Sequence, residues 1–240
     1  MNSSSPKTLI LEGNIGAGKS TFLNIINKFL DSEVVYEPHE KWQNVEGENL
    51  LDKFYKDTPR WAYTFQTYAF VTRVLEHEKF SRKTEKEFMV LERSVYSDRY
   101  CFAKNCFEMG TMSALEWHLY KDWFAWLVEQ YTPKPHGFIY LKTDAEVCFN
   151  RLVKRNRLEE SEIPLEYLKM LNNKHNDWLI EKRDVSDYLK DVPVLTLECN
   201  KDFEFDTNEQ YNHLNAIKEF FGVNFKVPKN KKIKTDALFL

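Results

Sequence analysis

The sequence predicts an α/β fold in which a five-stranded parallel sheet is covered by helices on both faces. Three observations predict it. Apolar runs of strand length alternate with segments of helical periodicity nearly to the end of the chain. A glycine-rich turn of eight residues joins the first strand to the first helix. No repeat or linker divides the 240 residues, so one domain over 1–240 is the economical reading, with a core from about 7 to 222 and a basic tail over about 223–240.

The elements follow in order. Residues 8–12 form the first strand, and Phe22, Ile25, Ile26 and Phe29 then recur at helical spacing. Residues 33–36 give a second strand, which Glu37-Pro38 ends because proline cannot donate to a strand ladder. A long helix covers about 61–80, and residues 87–92 are the third strand. Helices over about 98–109 and 114–131 precede the fourth strand at 137–141, and the second of them is rich in Trp and Phe. Helices near 146–154 and 165–182 lead to the fifth strand at 193–197, and a last helix spans about 208–221.

Composition excludes several classes. No apolar stretch is long enough to span a bilayer. The net charge of −3 argues against a dedicated nucleic-acid surface. The four cysteines (101, 106, 148 and 199) lack C-x-x-C spacing and read as buried thiols in a reducing compartment. The few residues before the first strand are too short for a leader, so the expected location is cytoplasmic.

The turn is Gly13-Asn14-Ile15-Gly16-Ala17-Gly18-Lys19-Ser20, followed by Thr21, and it fits G-x-x-x-x-G-K-[ST]. A strand feeding such a turn into a helix aims main-chain N–H groups and the positive helix end at one point. Lys19 adds a charge for terminal phosphates, and the Ser20 hydroxyl suits Mg²⁺. The chain is therefore expected to bind a nucleoside triphosphate.

In a parallel sheet, ligands bind beyond the carboxyl ends of the strands. Glu37 stands at the second exit, where a carboxylate can take a proton from an attacking hydroxyl or can be a solvated strand-end acid. Glu92-Arg93-Ser94 closes a largely apolar third strand with adjacent opposite charges, an expensive arrangement unless a metal or phosphate pairs with them. Gln66, Ala69, Phe70 and Arg73 share one helical face. Gln66 can read the edge of a nucleobase or can be a core glutamine bonded to backbone. Arg151, Lys154, Arg155 and Arg157 suit a segment that closes over phosphates, although a solvated helix end gives the same pattern.

Four stretches give the chain a resemblance to the deoxyribonucleoside kinases, in the branch of the deoxycytidine and deoxyguanosine (deoxyadenosine) enzymes. They are Leu11-Glu12-Gly13-Asn14-Ile15, Phe65-Gln66-Thr67-Tyr68-Ala69, Glu92-Arg93-Ser94-Val95-Tyr96-Ser97-Asp98-Arg99-Tyr100 and Ile163-Pro164-Leu165-Glu166-Tyr167-Leu168. The resemblance implies a three-layer P-loop kinase fold with an arginine-rich lid. It implies transfer of a phosphoryl group from ATP or a related triphosphate to a deoxynucleoside 5′-hydroxyl, with Mg²⁺. Glu37 would be the general base, Arg93 would contact the hydroxyl and the moving phosphate, and Ser20 and Glu92 would hold the metal. Gln66 would read the base, while Tyr55 and Glu160 would grip the 3′-hydroxyl. Trp42, Phe65 and Phe102 would line the base slot. Arg151, Arg155 and Arg157 would act on the donor phosphates, and Asp202 and Phe203 would meet the donor base. In this family the positions of Ala69, Arg73 and Asp98 separate kinases of deoxycytidine and purine deoxynucleosides from those preferring thymidine, which leaves the choice among the former open. The stretch between Trp42 and Leu51 is hard to match to the family.

The resemblance also implies a homodimer packed through helices, for which Trp117, Tyr120, Trp123, Phe124, Trp126 and Leu127 offer a surface, or else ordinary core. The rivals are a nucleoside monophosphate kinase of the thymidylate kinase type and a P-loop switch or assembly ATPase. The basic run from Lys226 to Lys234 reads as a solvated end rather than a targeting signal.

Overall fold

The computed structural model describes residues 6–223, and the basic run at 226–234 lies outside them. The chain passes from β1 (Lys7–Gly13) through α1 (Lys19–Phe29) to β2 (Ser32–Val35). Next come α2 (His39–Gln43), α3 (Leu50–Lys56), the long α4 (Thr58–Ser81) and β3 (Phe88–Glu92). One helical stretch then runs from α5 (Val95–Ser97) through a π segment (Asp98–Ala103) into α6 (Lys104–Glu108). After α7 (Ala114–Tyr131) and β4 (Gly137–Lys142), α8 (Ala145–Arg155) ends before a 3₁₀ turn (Leu158–Glu160). The chain closes with α9 (Leu165–His175), a second π segment (Asn176–Ile180), α10 (Asp187–Lys190), β5 (Val194–Glu198) and α11 (Thr207–Phe221).

The five strands are parallel and lie in the order β2-β3-β1-β4-β5. β3 is buried at every residue, and β1 at every residue but its first, so both faces of the central sheet are covered. Register sets Leu11 beside Glu92 and Gly13 beside Leu141. The exits of β1, β2 and β3 therefore open on one edge, as expected for the α/β class.

Boundaries differ from the periodicity in places that have local causes. α4 begins at Thr58 rather than near 61 because the Asp57 side chain accepts from Arg60 N and Pro59 suits a first turn. The helix expected at 98–109 starts instead at Val95, where Ser94 and Ser97 form a capping box, and it carries the π segment inside it. The helix expected at 165–182 stops being α at His175 and finishes as a π turn. β2 ends at Val35, so Tyr36 falls outside it and is 42% exposed.

The aromatic α7 divides into two faces. Tyr120, Phe124 and Leu127 are buried, and Phe124 stacks on Phe70 with centroids 5.6 Å apart. Trp117 is partly buried, whereas Trp123 and Trp126 are about half exposed at 48% and 49%. All four cysteines are buried free thiols. Among the described residues, no helix is long and apolar enough to cross a membrane.

Candidate active site

The turn after β1 is built for close main-chain approach. Gly16 and Gly18 have φ of 80° and 93°. A Cβ on Gly16 would stand 2.3 Å from the Cys148 carbonyl oxygen, and one on Gly18 2.7 Å from the Phe203 ring. Only glycine combines that backbone with that space. Asn14 ties the turn to α9: its Nδ2 donates to Leu168 O (2.8 Å) and Asn172 Oδ1 (2.5 Å), while its Oδ1 accepts from Ile15 N (2.8 Å). Lys19 Nζ donates to the carbonyls of Gly13 (3.2 Å) and Asn14 (2.7 Å). Burial, helped by Arg93, lowers the Lys19 ammonium to about 7. Ser20 Oγ donates to Glu92 Oε1 at 2.8 Å, which joins the exits of β1 and β3.

Beside the turn lies a cavity of about 190 Å³, lined by Ile15, Gly16, Gly18, Lys19, Ser20 and Thr21 on one side. Its other walls carry the charged groups. Arg73, from α4, donates through Nε to Asp98 Oδ2 (2.8 Å) and through Nη2 to Asp98 Oδ1 (3.0 Å). It also reaches Glu37 Oε1 (2.7 Å) and the Glu92 carbonyl (3.2 Å). Burial alone would lower the Arg73 guanidinium, but Asp98 and Glu37 overcome this and hold it charged. Arg93 Nε stands 3.3 Å from the same Glu37 oxygen, and its guanidinium lies over the Phe102 ring at 4.7 Å. Arg93 itself has φ of 61°, with its N–H on the Leu11 carbonyl.

Glu37 is thus surrounded. His39 Nε2 meets its Oε2 at 3.1 Å, while Arg73 and Arg93 share its Oε1. Burial would raise this carboxyl, yet Arg93, His39 and Arg73 hold it well below the usual carboxylate range. It is a charged carboxylate at the cavity wall.

The apolar side of the cavity is an aromatic slot. Trp42 meets Phe65 edge-on at 5.6 Å, Phe65 stacks on Phe54 at 4.6 Å, and Trp42 Nε1 donates to Thr72 Oγ1 (2.9 Å). Gln66 lines this slot with Ala69, is 1% exposed, and its Nε2 has no partner among the described residues. Of the helical face read from the sequence, Gln66, Ala69 and Arg73 line the cavity, while Phe70 turns into the core. Tyr55 and Glu160 also line it. Arg155 bonds Glu160 Oε2, and Arg157 Nη1 reaches Oε1 at 3.4 Å. The neighbouring Glu159 accepts from Gln43 (2.9 Å) and Asn49 (3.0 Å), which fastens the 3₁₀ turn to the segments around α2 and α3.

A second cavity, of about 470 Å³, opens on the far side of the turn and is lined by Thr21, Arg151, Asp202 and Phe203. Arg151 differs from Arg155 and Arg157, because its guanidinium donates to the carbonyls of Ala17 (3.3 Å), Cys199 (3.0 Å) and Lys201 (2.9 Å). It braces the turn against the loop after β5.

Sequence reasoning missed His39, Phe54 and Leu51, all of which line the cavity that holds Glu37. For His39 the one available signal is its position two residues after Glu37. It also passed over Glu12, fully buried in β1, whose Oε1 accepts from Ser94 Oγ at 2.6 Å. Burial pushes the Glu12 carboxyl up to about 7, with Ser94 opposing.

A main-chain cradle for phosphates, set beside a buried aromatic slot with a charged carboxylate between them, defines a nucleotide-dependent phosphotransferase. The sequence model of one family, deoxynucleoside kinase, matches residues 9–222. Deoxycytidine kinase 2 of Gallus gallus is 42% identical, over 89% of this chain and 90% of its own. Human deoxycytidine kinase is 40% identical (90% and 91% of the two chains), and the mitochondrial deoxyguanosine kinase of Xenopus laevis 37% (89% of each). The chain belongs to the deoxynucleoside kinase family and is a deoxynucleoside kinase with the three-layer P-loop fold. The monophosphate kinase and the switch ATPase draw no support from these relatives.

Proposed function

We propose that the enzyme moves the terminal phosphoryl group of ATP or a related triphosphate onto the 5′-hydroxyl of deoxycytidine or a purine deoxynucleoside, in preference to thymidine. The observation that carries this reading is the Glu37 carboxylate, held charged at the cavity wall beside the glycine-rich turn. Glu37 accepts the hydroxyl proton as the oxygen attacks the terminal phosphorus and the bond to the donor's bridging oxygen breaks. A weakly basic carboxylate suits a loose transition state, in which that proton leaves late. Lys19, Arg93, Arg155 and Arg157 offset charge on the moving group, and Tyr55 and Glu160 receive the 3′-hydroxyl. Asp202 and Phe203 border the donor base.

Ser20 Oγ and Glu92 Oε1 supply two hard oxygens at one point, and that donor set fits Mg²⁺, which keeps waters and takes its other ligands from phosphates. Mg²⁺ there would neutralise phosphate charge. Base choice rests on Arg73 and Asp98, whose paired side chains fill the end of the slot beside Gln66. The names of the relatives, which specify deoxycytidine or deoxyguanosine, support the same preference.

We read the chain as one domain and a homodimer joined through the exposed face of α7, where Leu115, Leu119, Trp123 and Trp126 leave an apolar surface. Light scattering tests the dimer. The buried free thiols suit a reducing, cytoplasmic location. Initial rates with each of the four deoxynucleosides under a fixed donor test the substrate assignment. Thymidine should be the slowest, and thymidine as the best substrate would overturn it.

A further inference from the structure

Glu37 offers four in-plane lone pairs, two on each oxygen. Arg73 Nη2 donates to Oε1 at 2.7 Å, and Arg93 Nε stands 3.3 Å from the same oxygen. His39 Nε2 meets Oε2 at 3.1 Å. Among the described residues both guanidinium contacts fall on Oε1, which leaves Oε2, the oxygen beside His39, to receive a hydroxyl proton. The ring of His39 is fixed by Trp42, edge-on at 5.2 Å and 76°. Its Nδ1 is buried without a partner among the described residues.

We propose that His39 is a positioning residue for phosphoryl transfer: by holding Glu37 Oε2 it fixes the direction in which that oxygen receives the proton. This rests on the assignment of Glu37 as the base. The two guanidinium groups alone leave the carboxylate free to swing about Oε1, and the third contact stops that swing. The groups that face Glu37 are Arg73 from α4, Arg93 after β3, His39 from α2, Lys19 from α1, Asp98 from the π segment and Tyr55 from α3. His39 is among those that lower its proton affinity.

The test compares H39V, H39Q, E37Q and the double variant E37Q/H39V at saturating donor. H39V should lower kcat roughly tenfold, the loss of one hydrogen bond to a charged group, with KM for the deoxynucleoside nearly unchanged. It should also move the acid limb of the kcat–pH profile to higher pH, because Glu37 loses a partner that favours its charged form. H39Q, which keeps an N–H at the same reach, should recover most of kcat. In the E37Q background H39V should add no further loss. Unchanged kcat and acid limb in H39V, an H39Q as slow as H39V, or an equal loss in the E37Q background would each overturn the proposal. E37Q turning over at the wild-type rate would instead remove Glu37 as the base, a separate failure.

Discussion

The two halves of the cleft are held by different means. On the acceptor side, side chains fix one another: Arg73 alone joins Asp98, Glu37 and the Glu92 carbonyl, and Arg93 shares Glu37 with it. On the donor side the main chain does the holding. Gly16 and Gly18 bring backbone against backbone and ring, and Arg151 spends its donors on three carbonyls. A change among interlocked charges is felt by every partner, whereas a change in a glycine turn acts by local exclusion.

The largest break should come from E37Q. Losing the base should lower kcat by about 10² to 10⁴-fold while nucleoside affinity, measured by equilibrium binding, stays near wild type. R73M strips Asp98 of its bidentate partner and Glu37 of one contact, and should cost about 3–5 kcal/mol in denaturant unfolding. Adding D98L should recover part of that loss, which would mark the pair as coupled. G16A should act on the donor side alone, raising KM for the triphosphate roughly tenfold, an effect of about 1.4 kcal/mol, with KM for the nucleoside unmoved. Equal effects on both would show that the halves are not separate.

A separate effect concerns Glu12, which belongs to neither half. Its carboxyl is raised from 4.5 to about 7, so between those values the folded state binds a proton that the unfolded state has lost. Stability then falls as pH rises through that window, by at most about 3 kcal/mol. E12Q should abolish this fall, so its melting temperature relative to wild type should climb between pH 5 and pH 8.

Much of this was legible in the residues. The strands of the central sheet are covered on both faces and read as apolar runs, and the turn announces itself by spacing and context. The π segment was not legible, because an extra residue per turn within Asp98–Ala103 leaves apolar periodicity almost intact. Neither was the bracing by Arg151, whose carbonyl partners at Cys199 and Lys201 are about 50 residues away. His39 sits in a run with Glu40 and Lys41 that looks solvated, and only the short α2 turns its ring back onto Glu37. The aromatic content of α7 predicted burial or a surface, and the helix does both, on opposite faces.

Among the described residues, five non-glycine residues have positive φ: Glu46, Arg93, Asn156, Lys182 and Asp184, and Arg93 is the buried one among them. That backbone is disfavoured for an L-residue by about 1–2 kcal/mol. Asn156 already suits its φ, and at Glu46, Lys182 and Asp184 glycine or asparagine could relax the chain without touching the chemistry. At 93 the relaxed form exists only in a protein that has surrendered its guanidinium. Durability and turnover pull in opposite directions there, and selection for shelf life alone would erode the enzyme at that residue.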